Sequence, residues 1–171
     1  MDVPVLETER LRLRGHRAGD LDALTEMWAH PIVYRHITGK ASDRGETWSR
    51  MLRLTGQWLV SGFGYWVVED KATGAFVGEV GFLTGERGLD PDFADTPEAG
   101  WSLSPAMHGN GYAEEAVRAF LAWADERYPR TVCMIDPDNT ASLRLAEKVS
   151  YRKYADTNFK DEPVILFERS A

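Results

Sequence analysis

Two short stretches hold side chains and backbone suited to handling a ligand. The first is His108-Gly-Asn-Gly-Tyr-Ala113, set between an extended run, Trp101-Ser-Leu-Ser104, and the most clearly amphipathic helix of the chain. Gly109 and Gly111 carry no Cβ, so the backbone there can turn tightly and come close to a ligand. The first N–H groups of a helix lack internal partners, and the helix dipole adds about half a positive charge at that end; together they favour a phosphate. This needs no Lys or Arg. The P-loop pattern is absent, because no Gly-Lys-Ser or Gly-Lys-Thr follows, and a dinucleotide fingerprint from Gly109 would require glycine where Glu114 stands. On these residues alone two readings stay open, a phosphate cradle or two turn glycines ahead of a helix with nothing bound.

The second stretch is Asp136-Pro-Asp-Asn-Thr-Ala-Ser142, which leads into a helix. Asn139 falls at the helix start, where its amide either caps the helix or meets an amide of a ligand. Ser142 lies one turn later on the same side.

The elements that must position these stretches follow from periodicity and breakers. Leu6 to Arg14 alternates, with Leu11 and Leu13 on one face and Arg10, Arg12 and Arg14 on the other, which predicts one half-buried strand. Asp20 is the expected N-cap of a helix carrying Leu21, Leu24, Met27 and Trp28, and His30-Pro31 breaks it. Ser42 or Asp43 caps a second helix with Trp48, Met51, Leu52, Thr55 and Leu59 in register, closed by Gly62 and Gly64. Phe63 to Glu69 and Ala75 to Leu83 flank the turn Lys71–Gly74 and predict an antiparallel hairpin. Thr84 to Thr96 is expected as a surface loop, and Pro97 to Ser104 as a further strand ended by Pro105. The helix from Gly111 to Arg127 buries Ala113, Ala116, Val117, Phe120, Leu121 and Ala124. Thr131 to Ile135 is a strand, Asn139 to Val149 a helix, and Tyr151–Tyr154 and Pro163–Glu168 the closing strands. The order is that of an α/β (α+β) protein with a mixed sheet flanked by helices.

Composition narrows the function. The chain has 171 residues, the size of a single domain spanning 1–171, and a net charge of −7. That balance argues against a non-specific nucleic-acid binder and against attraction to anionic membranes. The lone cysteine, Cys133, excludes an intrachain disulfide and reads as core in a reducing, cytoplasmic setting. The four histidines show no metal-ligand spacing, so no metal is expected.

The pairing of the Gly109–Ala116 segment with Asp136-Pro-x-Asn-x-Ala-Ser142, and the opening Leu6-Glu-Thr-Glu-Arg-Leu-Arg-Leu-Arg14, resembles the GNAT superfamily of N-acetyltransferases, closest to its RimJ/RimL-type branch. The resemblance spans nearly the whole chain. It implies a largely antiparallel central sheet with splayed central strands, acetyl-coenzyme A as cosubstrate, and a primary amine as acceptor, either a peptide or protein N-terminus or a small molecule. It places the pyrophosphate on His108, Gly109, Asn110, Gly111, Tyr112 and Ala113. The pantetheine arm would run along Trp101, Ser102 and Leu103, with Asn139 hydrogen-bonded to it, and Ser142 facing the departing thiolate. The family's frequent Gln or Arg before the loop is Ala106 here, its frequent Tyr acid is Ala146, and its usual Gly-Phe is Ser150-Tyr151. Tyr151 is then core or a second donor. Glu98 and Glu79 are candidate bases, or solvated strand residues. Two functional classes follow: an acetyltransferase working by direct attack in a ternary complex as a monomer or homodimer, or a catalytically silent acyl-coenzyme A-binding sensor or interaction module.

Overall fold

A computed structural model describes residues 2–84, 87–93 and 95–171. The strands are β1 (Leu6–Glu7), β2 (Leu11–Arg14), β3 (Tyr65–Asp70), β4 (Phe76–Leu83), β5 (Glu98–Leu103), β6 (Arg130–Ile135), β7 (Arg152–Phe159) and β8 (Glu162–Ser170). The helices are α1 (Leu21–Ala29), α2 (Pro31–Tyr34), α3 (Arg44–Ser61), α4 (Tyr112–Asp125) and α5 (Thr140–Lys148). The strands form one sheet in the order β1-β2-β3-β4-β5-β6-β8-β7. Every pairing is antiparallel except β5 with β6, which is parallel and joined through a single register pair, Glu98 with Val132. Beyond that pair the two strands separate, which is the splay the resemblance implied.

The predicted helix α4 delivers Ala116, Val117, Phe120, Leu121 and Ala124 into the main core, against Leu11, Leu13, Trp66, Val80, Phe82 and Leu103. Cys133 and Ile135 join the same cluster, whereas Val132 faces the other way and packs with Leu89, Phe93 and Leu166. This is the period-2 alternation of a sheet covered on both faces. Leu24, Met27, Trp28, Val33 and Met51 form the cluster beneath α1 and α3.

Four expectations are corrected. The stretch Leu6–Arg14 is a tight hairpin of two strands, because the Thr8 hydroxyl accepts the Leu11 N–H at 2.9 Å and turns the chain. Arg14 keeps to the face of Arg12, opposite Leu13 as expected, but is buried there, bridged to Asp20 at 2.7 Å and Glu69 at 2.5 Å. Asp20 therefore spends its carboxylate on Arg14 and the Arg17 N–H, with no side-chain capping bond to α1. On α3 the sheet takes Thr47, Met51, Leu54 and Trp58, leaving Trp48, Leu52, Thr55 and Leu59 exposed. Two apolar stripes compete on this helix, and the indole N–H of Trp58, which donates to the Tyr65 carbonyl at 3.0 Å, fixes its rotation. The stretch Thr84–Thr96, in which 85, 86 and 94 lie outside the described residues, buries Leu89 and Phe93 rather than being wholly solvated.

Asp43, not Ser42, caps α3, in a reciprocal capping box with Glu46. Gly62 closes the helix in the left-handed region. Removing one member of a buried ion pair strands the other. Arg14→Ala is expected to destabilise the protein by about 3–5 kcal/mol, read as a lowered midpoint in urea with an unchanged slope.

Candidate active site

The parting of β5 from β6 opens a cavity of about 450 Å³. It is lined by Trp101, Ser102 and Leu103 of β5, by the loop from Met107 to Ala113 except Asn110, by Asn139, Ser142 and Arg144 at the start of α5, and by Ile32, Val33, Arg35, His36 and Ile37 beyond α1. The two stretches singled out above thus meet across one opening.

At the loop, Gly109 and Gly111 both adopt φ of 78°, a left-handed conformation that side chains disfavour. Gly111 is the N-cap of α4 and offers no side chain, so no capping bond satisfies the first helical N–H groups. Gly111, Tyr112 and Ala113 line the cavity, and a helix start of this kind fits an anionic diphosphate. Asn110 donates its amide to the carbonyls of Met107 and His108, both at 3.2 Å, which shapes the turn. His108 lies exposed, with Nε2 3.0 Å from the Leu103 carbonyl.

A clamp invisible to local sequence reading holds this loop. Arg10, at the tip of the β1–β2 hairpin, donates to the Asn110 carbonyl at 2.9 Å and through Nε to Glu115 at 2.7 Å. Thr8 donates to the same carboxylate at 2.5 Å, and the Arg10 guanidinium stacks on the Tyr112 ring at 4.6 Å. Tyr112 in turn donates its hydroxyl to Asp70 at 2.7 Å. Arg10 thereby neutralises an acid in the first turn of α4 and leaves the helix end attractive to anions. The only sequence signal was the Thr8-Glu9-Arg10 segment in the opening motif.

On the opposite wall, Asn139 caps α5 through its amide oxygen, which accepts the Ser142 N–H at 3.1 Å. Its NH₂ group has no hydrogen-bond partner among the described residues and can donate to a ligand carbonyl. The Trp101 indole donates to Ser142 Oγ at 3.1 Å. Because indole only donates, the Ser142 hydroxyl acts there as acceptor and keeps its own proton for another partner.

The two carboxylates expected as bases are placed elsewhere. Glu98 sits at the joined end of the strands, outside the cavity, gripped by Arg87 at 2.5 and 2.9 Å. Burial pushes its carboxyl up, with Arg87 opposing. Glu79 is buried beneath α1 and α3. One of its oxygens accepts from the Trp28 indole at 3.0 Å and from Arg50 at 3.1 Å, and the other lies 3.0 Å from His16 Nε2. Burial opposes ionisation, but His16 and Arg50 outweigh it and hold the carboxyl at about 2. A carboxylate with both oxygens engaged and so weakly basic is a tie between layers, not an acceptor for a substrate proton. Tyr151 is core: its hydroxyl pairs with Thr131 at 2.7 Å, and burial pushes its ionisation up. Cys133 is buried and its thiol is likewise pushed well up. Ala146 is fully buried against the core. Among the described residues no cluster of His, Cys, Asp or Glu is arranged to hold a metal ion, and no helix is long and apolar enough to cross a membrane.

Residues 10–152 match the acetyltransferase (GNAT) domain. The chain belongs to the GNAT acetyltransferase family. It is 34% identical to the protein YkkB of Bacillus subtilis strain 168, over 97% of this chain and 95% of that one. Among solved structures, a GnaT-family acetyltransferase from Bordetella pertussis superposes with a TM-score of 0.87 at 33% identity, covering 98% of this chain and 100% of that one. RimL, a ribosomal L7/L12 alpha-N-protein acetyltransferase in complex with coenzyme A, shares the fold at a TM-score of 0.80 and 14% identity, over 98% of each chain.

Two predictions follow from the site's supports. A carboxyl held lower in the folded than in the unfolded state stabilises the fold above its unfolded value and ceases to do so as pH falls through the folded one. Stability is therefore expected to decline from about pH 4.5 towards pH 2, and Glu79→Gln to make that decline shallower, measured by denaturation at fixed pH steps. Arg10→Ala unpins the loop. Amide exchange at 109–113 is expected to accelerate by about 10-fold or more, as in locally opened segments, while exchange in β3 and β4 stays slow.

Proposed function

We propose that this chain transfers the acetyl group of acetyl-coenzyme A to a primary amine, by direct attack of the amine in a ternary complex. The observation that carries the reading is the uncapped N-terminus of α4 behind two left-handed glycines, opening into the gap between β5 and β6. The family supports acetyl transfer, and RimL bound to coenzyme A shows the fold accommodating that molecule.

In this reading acetyl-coenzyme A supplies an activated thioester carbonyl. The N–H groups of Gly109 to Ala113 bind the diphosphate. The free backbone edge of Trp101 to Leu103 pairs with the pantetheine amides as a strand would, and Asn139 donates its NH₂ to one of their carbonyls. A backbone N–H near Leu103 stabilises negative charge building on the acetyl oxygen. Ser142, its Oγ already accepting from Trp101, turns its own proton toward the sulfur and stabilises the departing thiolate. No metal enters the scheme. The acceptor is an N-terminal α-amine or a small-molecule amine. An α-amine, with a solution pKa of about 8, is partly neutral near pH 7 and asks less of the protein than a lysine amine near 10.4.

One observation favours the rival class, a silent acyl-coenzyme A-binding module: both strand carboxylates are committed to partners. Thiol release from acetyl-coenzyme A across peptides, polyamines and aminoglycosides decides between them. Amine-stimulated release is expected; tight coenzyme A binding with no release for any amine would favour the rival. Ser142→Ala is expected to lower kcat by about 10-fold or more, as when a hydrogen-bond donor to developing charge is removed, with coenzyme A affinity within about 2-fold of the parent by calorimetry.

A further inference from the structure

His36 follows α2 and lines the same cavity as Trp101 and Ser142. Its Nδ1 lies 2.6 Å from Oδ2 of Asp136, just after β6, so the ring reaches from the cavity wall to a carboxylate behind it. The other Asp136 oxygen accepts the Asp138 N–H at 2.8 Å, which fixes the carboxylate. Burial opposes ionisation of Asp136, but the Asp138 N–H and His36 hold its carboxyl below the usual range, so at neutral pH it is an acceptor. An acceptor at Nδ1 requires the proton there. In the neutral ring Nε2 then carries the lone pair, and it makes no hydrogen bond among the described residues. A carboxylate that fixes the tautomer and orientation of an imidazole is the arrangement that makes it a general base.

The alternatives in and around the cavity are spent or unoriented. Glu79 and Glu98 are engaged as described. Glu114 pairs with Arg118 and Lys148, and Tyr112 with Asp70. His108 donates Nε2–H to the Leu103 carbonyl at the loop end, which leaves its Nδ1 lone pair free but on an exposed ring with no carboxylate orienting it among the described residues. Besides its partner Asp136, the charged or titratable groups that line the cavity with His36 are Arg35, His108, Tyr112, Glu114, Arg144 and Lys148.

We infer that His36 is the catalytic base that takes the proton from the attacking amine, with Asp136 as its positioning residue, an inference that rests on the acetyl transfer proposed above. Nε2 of His36 accepts a proton from the amine nitrogen. The nitrogen's electron pair forms the C–N bond to the acetyl carbon, and the C–S bond breaks with its pair going to sulfur. The thiolate, hydrogen-bonded by Ser142, takes up a proton from water, and the imidazolium gives its proton to water. Amide and free thiol result, with no oxidant or metal involved.

The test is the pH dependence of kcat/KM for an accepted amine in the full-length protein, comparing the parent with His36→Gln and Asp136→Asn. The amine's own ionisation contributes the same limb to every profile, so the difference between profiles isolates the imidazole. The parent is expected to lose activity on the acid side as His36 is protonated. His36→Gln should lower kcat by about 10²–10⁴-fold, the ordinary contribution of a general base. It should also abolish that acid limb, keep coenzyme A affinity within about 2-fold, and recover part of kcat on adding imidazole. Asp136→Asn keeps a side chain of the same shape and should lower kcat while moving the limb, which covers the case of a His36 variant that folds poorly. A folded His36→Gln or Asp136→Asn variant with parental kcat and an unchanged limb overturns the inference and leaves acetyl transfer standing. A parent that binds coenzyme A and releases no thiol with any amine overturns both.

Discussion

Everything at the site depends on two parallel strands that touch at one end only. β5 and β6 are held together at Glu98 and Val132 and by the Val132 N–H donating to the Pro97 carbonyl at 3.0 Å. Each is fully paired on its outer side, β5 with β4 and β6 with β8. The sheet therefore stays continuous while its centre opens. Unpaired main-chain groups inside a protein are costly unless something satisfies them. Here they line a cavity, so a ligand can supply the missing pairing. The Arg87–Glu98 bridge and the Leu89–Phe93 cluster lie at or beside the closed end and act as its hinge pin.

The net charge of −7 gives the site no general attraction for an anion. The favourable field is local: main-chain N–H groups at the start of α4, with Glu115 neutralised by Arg10 and Thr8. Glu114 is similarly offset by Arg118 and Lys148. Acids in a first helical turn ordinarily suit the dipole, and they would compete with any anion bound at the same N–H groups. Pairing each with a cation keeps the helix stable and the donors free.

Most of the fold was legible because its elements carry strong local signals. The α4 stripe, the β3–β4 hairpin and the capping boundaries of α3 and α5 depend on neighbours within a few residues. The errors share one physical cause. On α3 two stripes were equally apolar, and only the sheet beneath could choose Thr47, Met51, Leu54 and Trp58 over Trp48, Leu52 and Leu59. Leu6 to Arg14 alternated well enough for one strand, and only the bond from the Thr8 hydroxyl shows the turn. At the site, the glycine loop, Asn139 and Ser142 were legible as motifs. Glu79 and Glu98 were misplaced as proton acceptors because strand position says nothing about which partners surround a side chain. His36 and Asp136 lie 100 residues apart, and no spacing rule joins them; a hydrogen bond between them exists only once α2 is docked over the end of β6.

The hairpin tip that carries Thr8 and Arg10 adds a polar tie to the loop before α4, beside the packing of Leu11 and Leu13 against that helix. By thermodynamic reciprocity, whatever tightens the loop around an anion must tighten the docking of the N-terminal hairpin to the same degree, and loosening that hairpin must be felt as weaker anion capture. An anion held at that loop would thus be linked to the order of the first strands through the contacts of Thr8 and Arg10.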